Sequence, residues 1–385
     1  MSLIDYAIPG EYAQLARLTE QFVRNELLPH EAQVERDDRM PDDLRRRLRK
    51  KAVEIGLFAF NMPEDVGGPG LPYLAQVLIR EQLGKVSVAL ADMVGRPPKA
   101  LLACAGDQRE RFLLPAVRAE KTWAFALTEP DAGSDAGALK TRATRADGGW
   151  TLNGTKHFIS HGDFADYVIV IAKIENAGED APTAFLVEHA TPGFSVGRIH
   201  PKMGWRGYPM AELVFNDAFV PDANILGDIG AGFRLAMSAI GEARIGVASH
   251  CLGLAQRAFD YAVEHLKVRR QFGRPLARFQ GLQWHIADMA LDLEQSRALL
   301  YAAARTMDGS GDARTAVSMA KLSATEMAGR VTDRALQLLG GAGYMAEGPI
   351  EMMYRDARAF RIGEGTSEIQ KNQIARAILG REMFE

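Results

Sequence analysis

The apolar residues of this chain repeat at helical spacing near both ends and in short, strand-like runs in the middle. In the first part, up to about residue 120, apolar residues three and four positions apart lie on one face of a helix. Two sets show this spacing: Leu15, Leu18 and Phe22, and Leu44, Leu48, Ala52 and Ile55. The Pro/Gly-rich segment 61–72 predicts a connector, and 108–117 predicts a short helix that ends at Pro115.

The middle of the chain has short runs rich in β-branched and aromatic residues, separated by Gly, Asp, Asn and Pro. This rhythm predicts an antiparallel sandwich or barrel rather than βαβ units. The runs are 123–128, 149–154, 156–160, 167–173, 183–188 and 211–220.

Long helices return after Gly232. Segments 281–307 and 313–341 each predict one helix, and an earlier helix is predicted by apolar residues at helical spacing. These residues are Cys251, Leu254, Ala258, Ala262 and Leu266. We therefore predict a mostly helical α+β protein with a helical domain over 1–120, a β-barrel or sandwich domain over 121–228 and a helical domain over 229–385.

The composition excludes several classes of function. The chain has 385 residues, a net charge of −3 and a pI near 6.3, so it shows no basic surface signal for nucleic acid or an anionic membrane. Its apolar runs are too short to span a bilayer. Cys104 and Cys251 are far apart and predict no disulfide framework, which favours a reducing compartment, and with no targeting segment we expect a cytoplasmic protein.

Common catalytic motifs are missing from the sequence. No G-x-G-x-x-G follows a strand, Val86 follows Gly84-Lys85 where a P-loop needs Ser or Thr, and Ala132 replaces a glycine of the nucleophile elbow. No H-E-x-x-H occurs, and the eight histidines are scattered, so no metal site is predicted. These absences argue against nicotinamide, nucleotide-triphosphate, serine-hydrolase and zinc-protease chemistry.

Six motifs occur in a fixed order instead: ALTEPDAGSD (126–135), NGTKHFISHG (153–162), KMGWRG (202–207), RRQFGRP (269–275), QLLGGAGY (337–344) and GEGTSEIQ (363–370). The ordered set resembles the acyl-CoA dehydrogenase family of flavoproteins along nearly the whole chain. The resemblance implies a helical domain, a β-barrel domain and a C-terminal four-helix domain, assembled as a homotetramer. It implies FAD as cofactor, an acyl-CoA substrate and an electron-transferring flavoprotein as acceptor.

The resemblance also implies which residues contact FAD. Phe125, Leu127 and Thr128 would face the flavin ring, with Phe158, Ile159 and Ser160 on its other side. Gly133 and Ser134 would lie where the pyrophosphate meets the CoA arm. The remaining implied contacts, some to the FAD of a partner subunit, are Arg269, Gln271, Phe272, Gln280, Gln337, Gly340, Gly341, Thr366 and Glu368.

Glu364 lies between Gly363 and Gly365, where the resemblance implies the base that removes the α-proton of the thioester while the β-hydride passes to flavin N5. The bare backbone on both sides would let substrate approach closely, and desolvation would raise the pKa of Glu364. Ser134, Arg244 and the segment 363–365 are the predicted substrate contacts. Ala243, which matches the base position of other family members, cannot serve, and the side chain of Glu242 is expected to point about 100° away.

Several positions depart from the common pattern of the family. Phe158 replaces a common Trp, and Tyr208 and Met210 replace Ser and Thr. Gly363 replaces a common Tyr, which favours a branched, cyclic or substituted acyl group. Arg96 and Lys99, in the segment 95–101, lie where the family's acyl pocket is floored, so either could meet an acyl carboxylate. We interpret both as solvated loop charges beside Pro97-Pro98 and predict no dicarboxylic substrate from them.

Other functions are open on the same fold: an oxidase that uses oxygen, or a dehydrogenase of acyl groups on a carrier protein. The presence of Glu364 argues against monooxygenase and desulfinase relatives, which generally lack this base. A non-catalytic helical interaction protein would bind no flavin, so the colour of the purified protein would distinguish it.

Overall fold

The computed structural model describes residues 4–176 and 179–383, and shows helices, then a sheet, then longer helices. This order confirms the predicted fold class. Within these residues, no helix has both the length and the apolar character that a membrane span needs. Cys104 and Cys251 are buried free thiols.

The first part contains six α-helices. They are α1 (Gly10–Phe22), α2 (Glu31–Asp37), α3 (Asp42–Glu54), α4 (Tyr73–Leu83), α5 (Val88–Ala91) and α6 (Leu114–Val117). π-Helical turns (Val23–Leu27 and Arg109–Leu113) and 3-10 turns (Leu28–His30, Glu64–Val66, Asp92–Val94 and Lys99–Ala103) join them.

The predicted apolar faces are mostly buried. Phe22, Leu44, Leu48 and Ala52 belong to the core of the first part, whereas Leu18 is exposed and Ile55 lies beyond the end of α3. The prediction that Pro115 ends a helix is wrong. Pro115 lies in the first turn of α6, where a missing N–H costs no hydrogen bond and a fixed φ suits the helix.

The middle part is an eight-stranded sheet. Its strands are β1 (Trp123–Ala126), β2 (Arg142–Ala146), β3 (Gly149–Ser160), β4 (Tyr167–Asn176), β5 (Glu179–Glu188), β6 (Phe194–Ile199), β7 (Met210–Pro221) and β8 (Ile225–Leu226). Two 3-10 turns flank them, Ala136–Ala138 and Asp222–Asn224.

The sheet is mixed and open, so the predictions of a barrel and of purely antiparallel pairing are wrong. The strand order is β6-β7-β3-β2-β4-β5-β8, with β1 beside β4. β1 runs parallel to β4, and β2 meets β4 in parallel at Arg142–Lys173. The long loop after β1 and the β2–β3 hairpin separate β1 from β4 in sequence, which gives the chain the crossover that parallel neighbours need.

The predicted strands 149–154 and 156–160 form one strand, β3, with two irregularities. Lys156 pairs with Leu213, and the next register pair is Ile159 with Ala211, so β3 carries one extra residue between these pairs. Such a bulge turns a side chain out of the regular alternation. Here it places Phe158 at φ +56° on the sheet surface.

The last part is built around three long helices, α7 (Gly232–Val268), α8 (Gln280–Asp308) and α9 (Arg314–Leu339). The hairpin of β9 (Arg270–Gln271) and β10 (Arg274–Pro275) and a 3-10 turn (Leu276–Arg278) connect α7 to α8. Three shorter helices and a 3-10 turn follow: α10 (Gly341–Tyr344), α11 (Ile350–Phe360), α12 (Ser367–Leu379) and Arg381–Met383.

All five apolar residues predicted to share one face of α7 are buried. Helix α4 contributes Leu74, Val77 and Leu78 to the same apolar cluster as α7, α8 and α9, although it belongs to the first part of the sequence. α4 therefore packs against the last helical part.

Candidate active site

Glu364 lies in the turn between α11 and α12, in a backbone conformation that is uncommon for a residue with a side chain. Its φ is +57° and that of Gly365 is +87°. Arg244 Nε donates to the Glu364 carbonyl (3.0 Å), while Gln370 Nε2 (2.9 Å) and Lys321 Nζ (2.8 Å) donate to the Gly365 carbonyl. A left-handed non-glycine residue persists where its surroundings hold it, and such residues cluster at functional sites.

The Glu364 carboxylate is half-buried and, within the described part of the chain, forms no hydrogen bond or ion pair. Burial removes solvent from the charged form and raises the pKa of Glu364, while Arg96, Arg244, Lys321 and Arg80 act in the opposite direction. The result is a carboxylate that holds its proton more tightly than an ordinary glutamate and has no competing protein partner.

The turn requires glycine at only one of the two positions beside Glu364. A Cβ at Gly365 would lie 2.9 Å from Gln370 Nε2 and 3.1 Å from Arg244 Nη2, so the turn requires glycine there. A Cβ at Gly363 would meet only the Ala359 carbonyl at 3.8 Å. Gly363 therefore leaves open space beside the carboxylate that no backbone constraint explains.

The loop after β1 is held by a buried ion pair that sequence reasoning missed. Lys156 Nζ donates to Glu129 Oε1 (2.7 Å) and to the Leu127 carbonyl (3.0 Å), and the backbone N–H groups of Lys140 (2.5 Å) and Thr141 (3.0 Å) donate to the Glu129 carboxylate. Burial opposes ionisation of Glu129, but the bonds from Lys156 and Thr141 lower its pKa. The sequence signal that could have predicted this pair is Lys156, a lysine at an inward-facing position of β3.

This ion pair positions the predicted flavin-contact loop. The His157 N–H donates to the Thr128 carbonyl at 2.8 Å, which ties the loop to the bulge of β3. Gly133 and Ser134 are exposed, and their N–H groups form no hydrogen bond with other described residues. Free N–H groups on a fixed loop suit an anionic or polar ligand such as a pyrophosphate.

The bulge of β3 presents an aromatic surface. The Phe158 side chain is 56% exposed and stacks on His157 with ring centres 4.1 Å apart. Its neighbour Ile159 is buried, and Phe125 is half-buried. An exposed aromatic ring suits the flat ring of FAD. The free backbone donors of Gly133 and Ser134 suit its phosphates.

Tyr208 is a buried tyrosine near both this surface and Glu364. Burial raises the pKa of Tyr208 above its ordinary range, and the side chains of Ser160, Glu364 and Arg80 lie close enough to influence its hydroxyl. The sequence marked Tyr208 only as a departure from the common pattern. The fold places it near Ser160, predicted to face the flavin, and within electrostatic range of the Glu364 carboxylate.

Three predicted residues near α12 and α7 also lie close to the turn. Thr366 caps α12 by accepting a hydrogen bond from the Ile369 N–H at 3.3 Å. Glu368 is exposed, and its own backbone N–H and the Thr366 hydroxyl lower its pKa. Arg244 reaches the Glu364 carbonyl, whereas the Glu242 carboxylate bonds to Tyr73 Oη and Lys99 Nζ, each at 2.5 Å.

The other predicted contacts to FAD lie elsewhere on the surface, at the ends of α7, α8 and α9. All seven are exposed, and in the described chain none is hydrogen-bonded to the Glu364 turn: Arg269, Gln271, Phe272, Gln280, Gln337, Gly340 and Gly341. Phe272 is 91% exposed at the tip of the β9–β10 hairpin. These seven residues form an exposed outer group at the ends of the three long helices.

Comparison with protein families gives three matches that together span most of the chain. Residues 9–120 match the acyl-CoA dehydrogenase N-terminal domain, 124–218 the middle domain and 230–379 the C-terminal domain. The boundaries that we predicted at 120/121 and 228/229 stay a prediction.

Curated relatives and solved structures match over nearly their full lengths. The chain is 41% identical to an acryloyl-CoA reductase (NADH) of Anaerotignum propionicum, covering 99% of this chain and 98% of the relative. It is 37% identical to the mitochondrial short-chain specific acyl-CoA dehydrogenase of Mus musculus, covering 97% and 91%. The butyryl-CoA dehydrogenase structure from Megasphaera elsdenii has a TM-score of 0.89 at 35% identity, covering 98% and 100%.

Proposed function

Because the chain belongs to the acyl-CoA dehydrogenase family, whose members are FAD-dependent oxidoreductases, we propose that it dehydrogenates an acyl-CoA thioester between Cα and Cβ with Glu364 as base. The family, the enzyme class and the cofactor predicted from the motifs are confirmed. The substrate, the base and the acceptor are the parts that we propose.

The observation that carries the proposal is the unpartnered Glu364 carboxylate. A general base must be free to accept a proton, and it works best when its pKa is close to the working pH. Burial raises the pKa of Glu364, and no described side chain occupies its oxygens. In the proposed reaction the α-proton passes to this carboxylate and the β-hydrogen leaves as a hydride, which FAD, when bound, accepts.

The backbone of the same turn can stabilise the charge that develops on the substrate. The Glu364 N–H forms no hydrogen bond with another described residue, so it is available to the thioester carbonyl. Donors fixed at a developing oxyanion supply a large share of the stabilisation in many enzymes. Arg244, Gln370 and Lys321 hold the turn through its carbonyls, which keeps this N–H in place.

The open space at Gly363 supports a substituted acyl group. A tyrosine there would fill the volume that the glycine leaves beside the base. We therefore propose that a branched, cyclic or otherwise substituted acyl chain uses this space, with Arg244 and Ser134 among the substrate contacts. Electrons would pass to an electron-transferring flavoprotein, and the exposed outer group around Phe272 would complete the FAD site of a partner subunit in a homotetramer.

A second function, reduction of an enoyl-CoA, is favoured by the acryloyl-CoA reductase relative. The same residues would act in reverse: protonated Glu364 would donate to Cα, and a raised pKa keeps that proton available. The same geometry allows oxidation of an acyl-CoA and reduction of an enoyl-CoA. The redox partner of the flavin and its reduction potential therefore decide which reaction occurs.

The test is anaerobic bleaching of the flavin absorption by straight, branched, cyclic and dicarboxylic acyl-CoA thioesters. We expect one class to bleach the flavin rapidly, and Glu364→Gln to lose the reaction while it retains FAD. Glu347→Gln, a change at an exposed carboxylate of the last helical part, is the matched control and should react normally. Re-oxidation of chemically reduced protein by acryloyl-CoA tests the reverse direction. A flavin that no thioester bleaches would contradict the dehydrogenase proposal.

A further inference from the structure

One of the side chains that hold the Glu364 turn is a buried lysine. Lys321 lies on α9, its side chain is fully buried, and its Nζ donates to the Gly365 carbonyl at 2.8 Å. Gln370 Nε2 donates to the same carbonyl at 2.9 Å and to the Glu364 carbonyl at 3.3 Å. The Gly365 carbonyl therefore already has a second donor, and that donor carries no charge.

The charge of Lys321 is not matched by an ion pair within the described chain. Glu326, the next acid along α9, is engaged by other groups: Ser367 Oγ donates to its Oε1 at 2.6 Å, and Arg361 Nε lies 3.3 Å from its Oε2. Cys251 lies close enough to influence Lys321, but burial raises the pKa of its thiol, which therefore stays neutral. Lys321 is a buried cation without a paired acid among the described residues.

A buried, unpaired ammonium group is unfavourable for the stability of the fold. Desolvation lowers the pKa of Lys321 to about 8, and Arg244, a second cation at this turn, acts in the same direction. Apolar side chains of similar volume often stabilise such a buried place as well as charged ones do, or better. Because Gln370 already bonds to the Gly365 carbonyl, the need for a hydrogen bond does not explain a lysine at position 321.

Lys99 shows the contrasting case of a lysine whose charge is matched. Its Nζ lies 2.5 Å from Glu242 Oε1 and donates to Tyr73 Oη at 2.9 Å. This contact corrects the interpretation of Lys99 as a solvated loop charge. The charge of Lys99 is neutralised by its neighbour, whereas the charge of Lys321 acts on the acids of the turn.

The acid that gains most from this charge is Glu364. Burial is the largest influence on the pKa of Glu364 and raises it, while the nearby cations favour the ionised form. The charged and titratable groups within electrostatic range of Glu364 come from α4, the segment before Lys99, the β6–β7 connection, α7 and α9: Arg80, Arg96, Tyr208, Arg244 and Lys321. Lys321 also favours the ionised form of Glu368 on α12.

Lys321 and Arg244 differ from the other cations because they also bond to the backbone of the turn. Arg244 Nε donates to the Glu364 carbonyl at 3.0 Å, and Lys321 Nζ donates to the next carbonyl along the chain. Glu364 and Gly365 both have a left-handed φ, +57° and +87°, which persists only where the surroundings fix it. The bond from Lys321 therefore ties the conformation of the base to α9.

We propose that Lys321 is a positioning residue of the base: its ammonium group fixes the Gly365 carbonyl and with it the direction of the Glu364 side chain, and its unmatched charge favours the ionised carboxylate. This inference rests on the proposed function, because it assigns Lys321 a part in the reaction of Glu364. A misplacement of about 1 Å can reduce a rate by about 10²-fold. The ammonium group itself neither accepts nor donates a proton in the reaction.

The main test uses Lys321→Met, which keeps most of the length and volume of the side chain and removes its donor and its charge. Anaerobic flavin bleaching is measured against pH with the thioester that bleaches the unaltered protein fastest. We expect the midpoint of the rise in rate to move to higher pH, since Glu364 loses a cation that favours its charge. The limiting rate at high pH should fall about 10- to 100-fold, since the turn loses its bond to α9. Lys50→Met, at an exposed lysine of α3, is the matched control and should change neither quantity.

Thermal unfolding of the FAD-bound protein distinguishes positioning from a purely structural role. Lys321→Met should unfold at the same temperature as the unaltered protein or above it, because the substitution removes a buried unpaired charge and Gln370 still bonds to the Gly365 carbonyl. A much lower unfolding midpoint with an unchanged pH profile would overturn the inference. If the methionine variant fails to fold, Lys321→Gln, which is smaller and neutral, replaces it, and an unchanged pH midpoint in that variant has the same consequence.

Infrared difference spectroscopy makes the test independent of turnover. The protonated carboxyl band of Glu364 is identified by its absence from Glu364→Gln, and its titration is followed in the FAD-bound protein with and without Lys321→Met. A midpoint at higher pH in the variant supports the inference, and an unchanged midpoint overturns it. If the infrared midpoint moves but no thioester bleaches the flavin, the dehydrogenase proposal fails and the link between Lys321 and Glu364 stands. Normal bleaching of Lys321→Met with an unchanged pH profile would overturn the role of Lys321 and leave dehydrogenation intact.

Discussion

Arg80 and Glu81 are neighbours on α4, but the fold treats their charges in opposite ways. Glu81 faces the last helical part, where Tyr301 Oη donates to its Oε2 at 2.6 Å and Arg297 Nη2 donates to its Oε1 at 3.2 Å. Arg297 also bonds to Gln256 and Glu294. Arg80 instead lines a small cavity that Arg96 and Glu242 also line, and it donates one hydrogen bond, to the Gly246 carbonyl.

The difference separates structural charges from functional ones. Charges that hold helices together gain stability only if each finds its partner inside the protein. A charge that must bind or react with a small molecule has to remain incompletely paired in the folded chain. Each charge of the Glu81 network forms an ion pair, since Arg297 pairs with both Glu81 and Glu294. Glu364, Arg80 and Arg96, by contrast, form no ion pair with another described residue.

The largest expected effect is on the rate at Glu364. Glu364→Gln should slow flavin bleaching by about 10²- to 10⁴-fold, since general-base catalysis contributes on this scale. Its unfolding midpoint should stay close to that of the unaltered protein, because the carboxylate forms no bond within the described structure. Stopped-flow absorbance and thermal unfolding measure the two quantities. A large loss of stability with an unchanged rate would reverse the roles assigned to Glu364 and Glu81.

Glu81→Gln should show the opposite pattern. The substitution removes one of the two carboxylates that pair with buried Arg297, which keeps Glu294, and it removes the charged acceptor of Tyr301. Loss of hydrogen bonds to a buried charged group costs about 1–3 kcal/mol in the free energy of unfolding. Urea unfolding of the FAD-bound protein measures this loss. Glu54→Gln, at an exposed acid of α3, is the matched control, and a Glu81 variant as stable as that control would contradict the prediction.

The two glycines beside Glu364 give a smaller, internally controlled effect. Gly365→Ala should destabilise the turn by about 1–3 kcal/mol, because φ is +87° and the added Cβ meets Gln370 and Arg244. Gly363→Ala should change stability by less than about 0.5 kcal/mol, because the added Cβ enters open space. Thermal unfolding distinguishes them, and equal losses would show that the turn does not depend on the left-handed conformation of Gly365.

The smallest expected effect is the pH dependence of flavin bleaching and of stability that Glu364 produces. Because Glu364 must be ionised to accept a proton, bleaching should accelerate as pH rises through an apparent pKa above the ordinary glutamate value of about 4.3. The folded protein holds this proton more tightly than the unfolded chain, so the contribution of Glu364 to stability falls as pH rises from the unfolded to the folded pKa. Glu364→Gln should remove both the pH dependence of the bleaching rate and that of the stability contribution. A rate that is already constant below pH 4.3 would contradict a raised pKa.

Much of the fold could be predicted because its signals are local. The periodic faces of α1, α3 and α7 required only residue spacing, and the six ordered motifs indicated the family. The failures came from features that depend on distant residues. Pairing of β1 with β4 joins strands 44 positions apart, as at Trp123–Tyr167, and no local pattern specifies parallel or antiparallel neighbours.

The candidate site shows the same division. Glu364 was predicted from its motif, but its missing partners, the bulge that exposes Phe158 and the Lys156–Glu129 pair were not. Each of these depends on which strand or helix lies opposite. Lys99 and Arg96 illustrate the limit clearly, since both were interpreted as solvated charges, and only the position of Glu242 on α7 distinguishes the paired cation from the unpaired one.

The sequence by itself determined the family, the order of helices and strands, and the identity of the acid between two glycines, because these follow from short-range periodicity and ordered motifs. The tertiary structure decided which charges are matched. Packing of α4 against α7 and the last helices directs Glu81 to Arg297 and leaves Arg80 beside Arg96 at the cavity. Electrostatic energy depends on distance and burial in space, and neither quantity is encoded in residue order alone.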